Sequence, residues 1–258
     1  LAVESGKGGV GKSTTAVNLA LALRAEGKKV GLLDADVYGP SIPRMLGLEG
    51  QRADSDGRTI LPQEVLGLRA MSMGFLVPGD APMVWRGPMV TSALQQMLRT
   101  VRWGELDVLV IDFPPGTGDA HLTLAQTVPI TGAVIVSTPQ DIALIDARKG
   151  QKMFEKVSVP VLGIIENMSY FLCPHCGERS EIFGHGGAKA EADRTGAPFL
   201  GEIPLDVRIR ETSDAGTPIV TAEPDGPQAQ VYRALARKIA AGLEANLAGP
   251  KGPIITIE

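Results

Sequence analysis

The chain has 258 residues, with 25 basic and 29 acidic side chains and a net charge of −4, which excludes a protein that coats nucleic acid through bulk positive charge. A hydrophobic content of 44% excludes general disorder, and with aromatics at 4% the core has to be built from Ala, Val, Leu and Ile. No apolar run reaches the roughly 18 residues that span a bilayer, and no basic-then-apolar leader opens the chain. The expectation is a cytoplasmic protein with neither membrane nor nucleic acid among its partners. Only two cysteines occur, Cys173 and Cys176, so a disulfide framework is excluded and a reducing compartment is expected.

In chain order, the first short apolar run is at 2–5. A glycine-rich turn follows, and then Ala16, Leu19, Ala20 and Leu23 at helical spacing, with Gly27 as a stop. A second strand is predicted at 30–34. Residues 50–82 read as an insertion, a hairpin with a mobile loop. A helix is predicted over 89–101, with Val90, Ala93, Leu94, Met97 and Leu98 on one face. Further strands are predicted at 108–112, 133–137, 161–166 and 200–203; most are continuously apolar and β-branched, the pattern of strands buried on both faces. Near the end, Asp225 caps a helix with Pro227 in its first turn and a stripe of Val231, Leu235, Ile239 and Leu243. Residues 254–258 read as a short edge strand. Strands alternating with helices predict an α/β fold, a doubly wound, mostly parallel sheet with helices on both faces. No boundary divides 1–248, which is expected to be one domain, with 249–258 as a tail.

The strongest motif is Gly6-Lys7-Gly8-Gly9-Val10-Gly11-Lys12-Ser13-Thr14, which fits G-x-x-x-x-G-K-[ST] between a strand and a helix. Its glycines let backbone N–H groups fold around phosphate oxygens, and the helix N-terminus adds partial positive charge. The expectation is a P-loop that binds the phosphates of a nucleotide with Mg²⁺. Lys12 should reach the β- and γ-phosphates, and the Ser13 hydroxyl should serve the metal. Lys7 is a second cation beside the phosphates, where it could stabilise phosphoryl-transfer charge as an arginine finger does. Carboxylates end two strands: Asp34 and Asp36 at the second, Asp112 at 108–112. Strand C-termini face the crevice where α/β sheets bind ligands, so one carboxylate can hold Mg²⁺ through water and another can orient the attacking water. Asn167 follows the strand at 161–166; its amide offers both a donor and an acceptor, and an Asn there is equally a turn former.

Cys173-Pro174-His175-Cys176-Gly177, within the loop 171–177, has the form of a metal knuckle. Two thiolates are half of a tetrahedral set, and a two-fold dimer supplies the other half. Zn²⁺ and a [4Fe–4S] cluster both fit that set. A closed intrachain zinc site completed by His175 or His185 is a further alternative, whereas a thioredoxin-like redox pair lacks its usual helix context.

Taken together these stretches resemble the Mrp/ApbC family (Mrp/Nbp class) of iron–sulfur cluster carrier ATPases, within the MinD/ParA/nitrogenase-iron-protein superfamily of deviant Walker A loops. The resemblance also rests on Asp34-Ala35-Asp36-Val37-Tyr38-Gly39-Pro40-Ser41-Ile42-Pro43, Met71-Ser72-Met73-Gly74-Phe75, Val84-Trp85-Arg86-Gly87-Pro88-Met89, Pro114-Pro115-Gly116-Thr117-Gly118-Asp119, Ser137-Thr138-Pro139-Gln140-Asp141, Glu166-Asn167-Met168-Ser169-Tyr170 and Phe183-Gly184-His185-Gly186-Gly187. It implies a homodimer in which Lys7 reaches the partner's nucleotide. It implies switch I and water positioning for Asp36, and a Walker B-like carboxylate for Asp112. Asn167 would bond adenine, and the loop with Pro204 and Asp206 would touch the base through backbone groups. It implies ATP binding and slow ATP hydrolysis, and a labile [4Fe–4S] cluster on Cys173 and Cys176 that is passed to apoproteins. Phe113 stands where the family pattern would have Leu or Met. A positioning ATPase like MinD or ParA, acting on membrane or DNA, is the alternative; it would want a basic amphipathic face, for which Arg233, Arg237 and Lys238 are the candidates, and it leaves the cysteine pair without a role.

Overall fold

The computed structural model describes residues 1–37, 39–76, 87–116 and 118–248. In chain order the elements are β1 (Ala2–Glu4), α1 (Lys12–Ala25), β2 (Val30–Asp34), α2 (Ile42–Met45), β3 (Gln63–Val65), β4 (Leu68–Ser72), α3 (Gly87–Thr100), β5 (Val108–Asp112), α4 (Asp119–Thr127) and β6 (Ala133–Ser137). They continue with α5 (Asp141–Lys156), β7 (Val161–Glu166), β8 (Phe171–Leu172), β9 (Arg179–Ser180), α6 (Gly187–Thr195), β10 (Phe199–Glu202), α7 (Val207–Asp214), α8 (Ile219–Ala222) and α9 (Pro227–Ala248). Eight strands form one sheet in the order β10-β7-β6-β1-β5-β2-β4-β3, and β8 and β9 pair separately. Every pairing in the large sheet is parallel except β3 with β4, so the doubly wound sheet expected from the alternation is what forms.

Four predicted strands match their residues, the one at 2–5 ends one residue earlier as Ala2–Glu4, and the one at 200–203 shifts back by one to Phe199–Glu202. The predicted insertion needs correction. Its hairpin exists, turned by Leu66 (φ 49°) and Gly67 (φ 73°), the two positive values a type I′ turn requires. Yet β4 is no appendage, since it lies between β2 and β3 and is mostly buried. Leu68-Arg69-Ala70-Met71-Ser72 lacks β-branched residues, which hid it. Residues 77–86, Tyr38, Thr117 and the predicted edge strand at 254–258 lie outside the described residues.

Two cores line the sheet. On one face Val17, Leu21, Tyr232, Leu235 and Ile239 of α1 and α9 cover Val3, Leu32, Val110, Val134 and Ile165. On the other, α3 to α6 cover Leu33, Ile111, Ile135 and Ile164, and Phe113 meets Phe154 edge-on at 5.8 Å. The apolar stripe of α9 is therefore core. Its Arg233 and Arg237 both bond Glu26, at 2.7 and 3.1 Å, and Lys238 donates to the Leu200 carbonyl, so the three cations do not form a free basic face. No helix among the described residues is long and apolar enough to cross a membrane.

Register fixes the site. Asp34 of β2 is paired with Asp112 of β5 on one side and with Ser72 of β4 on the other. Because these strands are parallel, the three polar residues end them along the same sheet edge, where β1 runs out into the glycine-rich loop.

Candidate functional site

The loop from Gly6 to Gly11 is pinched between two elements. A Cβ on Gly6 would lie 1.9 Å from the Asp146 carbonyl oxygen of α5, and a Cβ on Gly11 would lie 2.2 Å from Asn167 Nδ2. Gly9 (φ 84°) and Gly11 (φ 82°) also hold left-handed backbone that a side chain would strain. Gly11 caps α1 without a side-chain acceptor, which leaves first-turn N–H groups for an anion. Ser13 and Thr14 are half-buried at this helix start, and Lys7 and Gly8 are exposed.

Beneath the loop, Lys12 Nζ bonds Asp112 Oδ1 at 2.6 Å and Ser13 Oγ at 3.3 Å, and Lys12 and Asp112 are both buried. Burial pushes the Asp112 carboxyl up, and the Lys12 ammonium opposes that rise. Asp112 Oδ2 is buried with no hydrogen-bond partner among the described residues. An orphaned carboxylate oxygen with the Ser13 hydroxyl nearby is a hard-oxygen donor set that fits Mg²⁺. Asp34 is pushed up to about 8, first by burial and then by Asp112. It accepts from Asp36 N (3.1 Å), Ile42 N (3.3 Å) and Ser72 Oγ (3.2 Å), so it folds the turn that carries half-buried Asp36.

A cleft of about 430 Å³ opens beside the loop and brings Gly11, Thr14, Asn167, Pro204 and Asp206 together, with Met168 and Tyr232 among its apolar walls. Asn167 Nδ2 donates to the Val10 carbonyl at 2.8 Å, which ties the end of β7 to the loop. The Asp206 side chain caps α7, accepting from Arg208 N at 2.7 Å and from Gln228 Nε2 at 2.5 Å, so its carboxylate is already engaged.

The cysteines sit on the β8–β9 hairpin. Gly177 N donates to the Cys173 carbonyl at 2.8 Å, and Cys173 N donates to the Glu178 carbonyl at 2.9 Å. Both thiols are free; Cys176 is exposed. The Cys173 thiol is held below its usual range by the backbone N–H of Cys176, then by that of His175 and by the Cys176 side chain. A knuckle that favours thiolate suits a thiophilic metal. No third His, Cys, Asp or Glu among the described residues joins the pair in a metal-sized group. The intrachain zinc alternative is thus not assembled: His175 is exposed in the turn, and His185 lies with Glu166, Glu202 and Arg179.

Sequence reasoning missed Glu4. It ends β1 fully buried, with neither carboxylate oxygen hydrogen-bonded among the described residues. Burial raises its pKa well above the ordinary value, opposed by Lys12 and reinforced by Asp112. A carboxylate closing an otherwise apolar strand was the available signal.

The family model described as ParA, the NUBPL iron-transfer P-loop NTPase, matches residues 1–240. An iron–sulfur cluster carrier protein of Escherichia coli is 59% identical over 244 residues, covering 94% of this chain and 66% of that protein; the chain thus spans just under two thirds of its length. Among solved structures, a nucleotide-binding protein from Archaeoglobus fulgidus in complex with ADP, with Co found, superposes with a TM-score of 0.77 at 42% identity, covering 90% of each chain. The cell division ATPase MinD of Pyrococcus furiosus shares the fold, with a TM-score of 0.68 at 22% identity, covering 93% of this chain and 97% of that one.

Proposed function

The chain belongs to the NUBPL iron-transfer P-loop NTPases of the ParA group, and from that premise we propose that it is an ATP-hydrolysing carrier of a [4Fe–4S] cluster. The cluster is its cargo, held by Cys173 and Cys176 of two protomers and passed to apo iron–sulfur proteins in the cytoplasm. Residues 1–248 act as one ATPase unit. In this reading Lys12 leaves Asp112 for the β- and γ-phosphates, and the loop from Gly6 to Thr14 wraps them with backbone N–H groups. Ser13 and, through water, Asp112 hold Mg²⁺, which neutralises phosphate charge when bound. Asp36 orients the attacking water, and Lys7 stabilises transferred charge at the partner's nucleotide. The Asn167 amide reads the adenine edge, and Pro204 and Asp206 close over the base with backbone groups.

The observation that carries the reading is the Cys173 thiol, turned toward thiolate by backbone N–H groups, on a hairpin that begins four residues beyond Asn167 in the cleft wall. A positioning ATPase would give that knuckle nothing to do. The test is anaerobic reconstitution with iron and sulfide. About four irons and four sulfides per two chains are expected, lost in Cys173→Ser or Cys176→Ser. One zinc per monomeric chain, retained in both variants, would overturn it.

A further inference from the structure

Phe183-Gly184-His185-Gly186-Gly187 has no task in the phosphate site, yet its geometry is specific. Gly184 (φ 84°) and Gly186 (φ 76°) bend the backbone so that Gly186 N and Ala188 N donate to the buried Glu166 carboxylate, at 3.0 and 2.7 Å. Ser169 Oγ bonds the same carboxylate at 2.6 Å, and His185 Nδ1 lies 3.2 Å from that hydroxyl. The Arg179 guanidinium of β9 reaches the same ring, its Nη2 lying 3.0 Å from Nδ1 and 3.3 Å from Nε2. Arg179 also covers the Tyr170 ring at 4.2 Å and lies 3.6 Å from a Glu202 oxygen.

This cluster stands between two sites. Asn167 and Met168 line the nucleotide cleft, and Cys173 follows Asn167 by six residues. Leu205, also in the cleft wall, donates its N–H to the Tyr170 carbonyl at 2.7 Å and bridges Phe171. The hairpin itself has only two ladder pairs, Phe171 with Ser180 and Leu172 with Arg179. A two-stranded ribbon this short does not hold its shape alone. The His185 ring, in contact with both Ser169 Oγ and Arg179 Nη2, joins it to the segment that forms the cleft.

We propose that His185 is a positioning residue that latches the cysteine hairpin to the base-side wall of the nucleotide cleft, so that nucleotide and metal strengthen each other's binding. The inference rests on the cluster-carrier reading, because it requires metal at Cys173 and Cys176. A nucleotide that orders residues 167–168 and 204–206 lowers the cost of ordering the hairpin root, and the coupling is reciprocal.

The experiment uses the full chain, anaerobically, with Co²⁺ as the metal probe, read by its thiolate charge-transfer absorption, and ADP as the nucleotide. In the wild type, ADP should tighten Co²⁺ by about fivefold or more, and Co²⁺ should tighten ADP by the same factor. His185→Ala should bring both factors near unity while ADP affinity without Co²⁺ stays unchanged. His185→Asn, which keeps an acceptor near the Nδ1 position, should restore part of the coupling. Arg179→Met cuts the latch from exposed β9 and should match His185→Ala without a folding defect. Wild-type coupling in both the His185→Ala and Arg179→Met variants overturns the latch, as does a thiolate band in the wild type that ADP does not move. If no thiolate band appears, or it survives Cys173→Ser, the cluster-carrier reading falls and the latch with it.

Discussion

Lys12 and Asp112 neutralise each other beneath an open phosphate loop, so each depends on the other for its place in the core. Lys12→Ala removes the cation proposed for the phosphates and strands a buried carboxyl. Hydrolysis should vanish, and stability should fall by about 3–5 kcal/mol at neutral pH, checked by steady-state turnover and by denaturant titration. The stability deficit should shrink in acid, where the stranded carboxyl takes a proton. Glu4 sets a different pH dependence. Its raised pKa means the folded chain keeps a proton that the unfolded chain releases above about pH 4.3, so the wild type loses stability as pH rises from there. Glu4→Gln removes that titration with little change of shape. Its melting temperature should exceed that of the wild type by more at pH 8 than at pH 5, and an equal difference at both would remove Glu4 from this role.

Among the elements, the short loop-side helices carry much of the cleft's definition. Asp206 caps α7 and also takes Gln228 from α9, so Asp206→Ala should cost about 1 kcal/mol of stability and weaken ADP binding together, measured by thermal melting and by calorimetric titration. The strands that bear Asp34, Asp112 and Glu166 were readable from sequence because buried parallel strands are continuously apolar and β-branched. β4 was not, since Arg69, Ala70 and Met71 resemble no strand until β2 and β3 are placed beside them. The phosphate loop and the cysteine knuckle announce themselves by local spacing. Glu4 and His185 do not, because what matters for them is a partner absent in one case and supplied by other segments in the other: Ser169 is 16 positions from His185 and Arg179 is 6.

For the whole molecule, the proposed dimer turns on Lys7. Lys7→Ala should lower turnover while leaving fold and most nucleotide affinity in place. Mixing Lys7→Ala with Asp36→Ala protomers discriminates between the two sides of the dimer. If Lys7 acts across the interface, both lesions fall on one site and the other recovers partial activity. If it acts within its own chain, each site carries one lesion and no activity returns.

The pairing of Asp34 with Asp112 has a further consequence. Their separation is set by neighbouring hydrogen-bonded strands, about 4.8 Å apart, and not by the loops that follow. The sheet acts as a ruler for the charges: insertions after either strand change the loops and leave the spacing intact. The same ruler is unforgiving along its length. Deleting one residue within β5 would slip its ladder by one step, turn the carboxylate to the opposite face and bring the Phe113 ring beneath Lys12.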